Sequence, residues 1–245
     1  MTRAFFFGLI GLVIASWIKS GTRTTKGDGI YFSYTNPLKP DPHGGSKRLR
    51  LRDLSTYGNF GLGRQEGTGG VIILNGIAYL INQNGSVRRL KSDMHMPTAA
   101  IKFFRADRRI VVKRPLTLSN LQFCLDSLMI PCKSAAIKIQ GRFDRMKYRS
   151  FSVEEGVPGF TERRSFDRQS IQGSMVGFYA PGGTSDLHGA GYHFHFIDRN
   201  RTTGGVVEDC MLKDVYIEID YAQSPRLSES DTARIRTYPL ANVLK

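Results

Sequence analysis

Three β-prone runs separated by Asn-Gly pairs restrict the fold more than anything else in the chain. Val71–Leu74 is followed by Asn75-Gly76, Ile77–Ile81 by Asn84-Gly85, and Ser86–Leu90 completes the series. Asn and Gly both accept positive φ, which a two-residue hairpin turn demands. The segment is therefore expected to be an antiparallel β-meander. Further β-prone runs are Ile30–Tyr34, Thr98–Phe104, Ile110–Val112, Ala135–Gln140, Phe143–Phe151, Met175–Tyr179, Tyr192–Ile197, Val206–Leu212 and Val215–Ile219. Helix signals are fewer. Leu49–Tyr57 can form a short helix stopped by Gly58. Ser119–Met129 carries an apolar stripe of Leu118, Leu121, Leu125 and Leu128, with Ser119 as cap and Pro131 as stop. Asn59–Gly70 is glycine-dense and reads as loop; it lacks the GxxxxGK[ST] phosphate pattern.

At 245 residues the chain can bury a sizeable core. Its formal charge is +14. The basic residues fall into three separated groups: Lys47 to Arg52, Arg105 to Arg114 and Arg142 to Arg149. A nucleic-acid binder gathers such charge on one face, so this class is disfavoured. Arg3 followed by the apolar run Ala4–Ala15 and Val13-Ile14-Ala15 resembles a secretory signal peptide. The expected location is the secretory pathway. The plain alternatives are a packed helix or an uncleaved membrane anchor, the one membrane contact expected. The segments are then 1–21 signal-like, 22–29 linker, 30–152 an N-terminal half, 153–172 a connecting loop, 173–222 a C-terminal half and 223–245 a tail. Cys124 and Cys132 can bridge if exported, or stay as buried thiols like Cys210.

The chemistry concentrates in Gly191–Glu208. His193 and His195 are two of five histidines, and on a strand they share one face. Tyr192, Phe194 and Phe196 then face a core. Two neutral imidazoles suit a metal such as zinc, but a site needs more donors. Glu208 or His188, with Asp186 beside the latter, can complete a set. The bland alternative is a pair of buried, hydrogen-bonded histidines.

Several pieces, in order, resemble the alpha-acetolactate decarboxylase family. Gly58–Gly63 is similar to its GDFGLGT, Leu74–Tyr79 to its LDGxxY, and Thr98–Phe104 to its TPFAxxxFF. Ala136–Phe143 with Arg149-Ser150 resembles AIxIDGxF followed by RSV. Gly173–Phe178 resembles GTLVGF, and Gly191–Phe196 with Gly204-Gly205 resembles GYHLHF and GGH. The resemblance implies a two-part α+β fold, with a mixed N-terminal sheet plus helices and a smaller C-terminal sheet. It implies a zinc-dependent conversion of 2-acetolactate, a small 2-hydroxy-3-oxo acid, to acetoin and CO₂, in a homodimer. His193 and His195 match zinc ligands, and Arg149 the catalytic, substrate-holding arginine. Val206 stands where the third histidine is expected, and Val71 where a ligand glutamate is; Glu66 lies nearby. Glu229 is the remaining candidate for a C-terminal glutamate. The expected function is a divergent decarboxylase or an inactive binding or scaffold relative.

Overall fold

A computed structural model describes residues 29–34, 50–65, 69–96, 98–131, 133–150, 164–181 and 191–222. The signal-like segment, Glu66, Cys132, Asp186, His188 and the tail with Glu229 lie outside them.

The meander forms as expected. β3 (Gly69–Leu74), β4 (Ile77–Asn82) and β5 (Val87–Arg89) are successive antiparallel neighbours. Asn75 and Gly76 both adopt positive φ at the first turn, 53° and 78°. On the other side of β3 lie β2 (Phe60–Gln65), β6 (Thr98–Lys102) and β1 (Tyr31–Tyr34), giving sheet I the order β1-β6-β2-β3-β4-β5. β2 occupies part of the glycine-dense stretch expected to be loop. Hydrogen bonding to β3 and β6 on both sides fixes it as strand despite its weak propensity.

Sheet II contains β7 (Arg108–Val112), β8 (Leu116–Thr117), β9 (Ala135–Arg149), β10 (Ser165–Ala180), β11 (Gly191–Asp198) and β12 (Gly204–Tyr221). β9 pairs with β10 and β12, β10 pairs with β11, and β11 returns to β12. Those four strands therefore close into a ring. Phe143, Met146, Tyr148, Met175 and Phe196 fill one core beneath it. A second core lies between the sheets, where Phe60, Leu62, Ile72 and Ile81 meet Val176, Phe178 and Ile197. A third, with Val71, Ile73, Leu80 and Ile101, covers the outer face of sheet I.

Three expectations are corrected. Every strand pairing among the described residues is antiparallel, so sheet I is not mixed; short turns link β3 to β4 and β4 to β5, and no helical crossover that a parallel pair needs is described. Sheet II is not the smaller one. It recruits β7, β8 and β9, so the boundary between sheets falls after Lys102 and not in 153–172. The start of β10, Ser165–Gln172, is almost wholly exposed and polar, so no apolar alternation announced it. The α content is small: α1 (Leu51–Leu54) and α2 (Leu118–Asp126). α2 is capped by Thr117, whose Oγ1 accepts from Asn120 N at 3.2 Å, in place of the expected Ser119. Its Leu121 and Leu125 are buried as the stripe required.

Candidate functional site

Alternation along β11 divides the His-x-His stretch between two cores. Phe194 and Phe196 point into the ring core, with Tyr192 packed against it. Ile197 joins the core between the sheets, and His193 and His195 share its face by period-two alternation. The hydroxyl of Tyr192 donates to Asp126 Oδ1 at 2.7 Å, fastening β11 to α2.

The register builds a cross-strand row on that face. Val176 of β10 pairs with His195, His195 with Val206 of β12, Val206 with Arg149 of β9, and Arg149 with Ser165 of β10. Directly paired side chains share a face, with Cβ atoms about 5 Å apart. Arg149, at the end of β9, thus stands one strand beyond Val206. His193 pairs with Phe178, one step along.

His195 is fully buried, and both ring nitrogens are shielded from solvent. Burial, then the positive fields of His193 and Arg149, hold its pKa down to about 3. Its imidazole is neutral at physiological pH, which is the form that ligates metals. Glu208 lies on the same face as Arg149, at a bulge between Val207 and Asp209. Its carboxylate accepts from Ser165 Oγ at 2.8 Å and lies 3.7 Å from Lys147 Nζ. Those partners, and not the histidine pair, are what its carboxylate meets here. Cys124 and Cys210 are free thiols; burial pushes Cys210 up to about 12, which makes it inert.

Two of the sequence candidates, His193 and His195, therefore come together with Arg149, and among the described residues a metal set does not close. Among the described residues no three His, Cys, Asp or Glu side chains gather to hold a metal ion. Val206 occupies the row position between His195 and Arg149. Val71 faces the outer core of sheet I, away from the histidines. The described side chains thus do not fit the complete ligand set that the resemblance implies.

Sequence reasoning missed a buried pair on the same inter-sheet face. Lys102 Nζ lies 3.1 Å from Asp220 Oδ1, both almost wholly buried. Asp220 also accepts from Arg105 N at 2.7 Å. The only signal was a lysine in an otherwise apolar strand.

An antiparallel two-sheet protein that brings a His-x-His strand and an arginine onto one cross-strand row is the class that fold and site define. The family model for alpha-acetolactate decarboxylase matches residues 44–241. The chain belongs to the alpha-acetolactate decarboxylase family. It is 31% identical over 169 residues to the enzyme of that name from Methanosarcina mazei, covering 66% of this chain and 58% of that one. It is 27% identical to the Bacillus subtilis alpha-acetolactate decarboxylase over 193 residues, covering 76% of this chain and 75% of that one. The crystal structure of the B. subtilis strain 168 enzyme superposes with TM-score 0.69 at 25% identity, over 80% of this chain and 86% of that one. A Staphylococcus aureus protein described as similar to alpha-acetolactate decarboxylase gives TM-score 0.69 at 26% identity, over 83% and 96%.

Proposed function

We propose that the chain is a carboxy-lyase acting on a small 2-hydroxy-3-oxo acid, as its relatives' name states for acetolactate. The observation that carries this reading is the cross-strand row that sets the buried His195 beside the half-buried Val206 and Arg149, with His193 one step away. In such a decarboxylation the bond to the carboxylate carbon breaks and its electron pair moves onto the neighbouring ketone. CO₂ leaves, an enediolate remains, and a proton then converts it to the hydroxyketone. Arg149 is suited to hold the carboxylate by charge-assisted hydrogen bonds and to stabilise the oxyanion as it forms. Neutral His195 offers one N–H donor and one lone pair in a dry setting, and does not serve as an acid near neutral pH. Zinc, the family expectation, would polarise the substrate oxygens, but the described donors stop at two imidazoles and no step is assigned to it.

A second reading is a relative that keeps the fold for binding and has lost turnover. Val206, apolar at the centre of the row, favours it. The two separate cleanly. Purified protein is assayed for acetoin and CO₂ from 2-acetolactate, alongside H193A and R149A. Turnover reduced about 100-fold or more in R149A supports the lyase. No turnover in the wild type, with acetolactate still bound, supports the binding reading. A homodimer and export belong to the same proposal; sedimentation and N-terminal sequencing of the mature chain test them.

A further inference from the structure

The outer face of sheet I, turned away from the histidines, carries an open cleft of about 700 Å³. That is within the size range of small-molecule sites. Its floor is apolar: Ile73, Ala78, Leu90 and Ile101 line it, and all four are buried in the outer core. Its charged lining is mostly cationic: among the described residues Arg52, Arg89 and Lys91 stand against one acid, Asp93, with Ser55 and Ser92 beside them. Among the described residues the one ion pair that engages these cations joins Arg52 to Asp53 at 3.9 Å, and both side chains are about half exposed or more. Among the described residues no ion pair engages Arg89 or Lys91. The wall is fastened in place: Leu51 N donates to Met94 O and Arg52 N to Ser92 O, both at 2.9 Å, and Leu90 N donates to Ala78 O at 2.9 Å. At the β3–β4 turn no described residue stands within 4 Å of where a side chain on Gly76 would begin.

An apolar floor below a surplus of unneutralised cations selects a particular ligand chemistry. A wholly apolar ligand leaves the cations idle, and a small inorganic anion leaves the floor wet. Single-stranded nucleic acid needs aromatic platforms, and among the described residues no aromatic side chain lines the cleft. We infer that this cleft is a second binding site, separate from the histidine face, for an amphipathic organic anion: an apolar body bearing one carboxylate, sulfonate or phosphate. The body lies on Ile73 and Leu90, and the head group meets Arg52, Arg89 and Lys91.

The probe for the test is 8-anilinonaphthalene-1-sulfonate, titrated by fluorescence into the purified full chain, with near-UV circular dichroism confirming native packing. Saturable binding at one site is expected, weakening several-fold between about 50 mM and 500 mM salt because exposed charges are screened. R52Q/R89Q/K91Q is expected to weaken binding about tenfold, as surface charge-assisted contacts are lost. H193A is expected to bind as the wild type does. The neutral probe N-phenyl-1-naphthylamine is expected to bind about tenfold more weakly than the sulfonate. An unchanged affinity in the natively folded triple variant overturns the proposal. Equal affinity for the two probes with no salt response overturns it on the wild-type protein alone, as does the absence of saturable binding.

Discussion

His195 and Val206 are direct cross-strand partners, and Val206 pairs on its other side with Arg149. A single apolar side chain therefore separates the buried imidazole from the guanidinium within one row. Substitution at 206 is the shortest route to a third imidazole on the histidine face. V206H is expected to raise zinc affinity at least about tenfold, by competition against a chromophoric chelator, because zinc binding depends steeply on donor number. V71E is expected to leave zinc affinity unchanged. Its carboxylate would enter the outer core of sheet I, where Val71 is wholly buried, and the cost would appear as a lower Tm. Equal zinc affinity in V206H and wild type would mean that position 206 does not face the histidines.

The features that could be read in advance were those set by local chemistry. The Asn-Gly turns announced the meander, and strict alternation put His193 and His195 opposite Phe194 and Phe196. What could not be read depends on partners distant in sequence. β10 begins with the polar stretch Ser165–Gln172, held as strand by its pairing with β9. Ring closure needs β9 to pair with β12, far apart in the chain, which no local pattern encodes. The bulge after Val207 hands Glu208 to Ser165 and Lys147, although period two alone predicted its face. Position 71 was matched to a ligand by ungapped counting, and counting does not tell which face of β3 a residue takes.

The depressed pKa of His195 sets an acid limb in stability. Its folded value is about 3 against 6.5 for an ordinary histidine. Between those values the unfolded chain binds the proton and the native protein does not. The stabilisation is therefore complete above pH 6.5 and is lost as pH falls toward 3. Relative to H195Q, the wild type is expected to lose about 2 kcal/mol between pH 7 and pH 5. Urea unfolding at the two pH values measures it. Parallel losses in both proteins would show that His195 does not stay neutral.

Gly141 lets β9 continue as one strand where the sequence suggested two. Its φ is 148°, and it pairs with Gly173 on one side and Val215 on the other. A Cβ there would lie 2.8 Å from Val215 Cα and closer still to the Asp214 carbonyl oxygen. Both obstacles are backbone, so neither can swing away. G141A is expected to cost about 3 kcal/mol or more, from combined strain and clash. Urea denaturation reads the cost directly, and a variant within about 0.5 kcal/mol of the wild type would refute the close approach.

Lys102 and Asp220 tie sheet I to sheet II, and their response to pH opposes that of His195. Burial pushes the Asp220 carboxyl up to about 6 from an ordinary 3.8, because the attraction of Lys102 offsets only part of the desolvation. The native protein takes up this proton before the unfolded chain does. That contribution is present below pH 3.8 and is lost as pH rises through 6. Relative to D220N, the wild type is expected to gain about 1 kcal/mol between pH 7 and pH 5, partly masking the loss from His195. Removing the cation alone is expected to be worse than removing both charges. K102M leaves a buried carboxylate with no countercharge and should cost about 3–5 kcal/mol, while K102M/D220L should recover most of it. Urea unfolding of wild type, both single variants and the double variant closes the cycle. If K102M and K102M/D220L are equally destabilised, the two charges do not depend on each other across the interface.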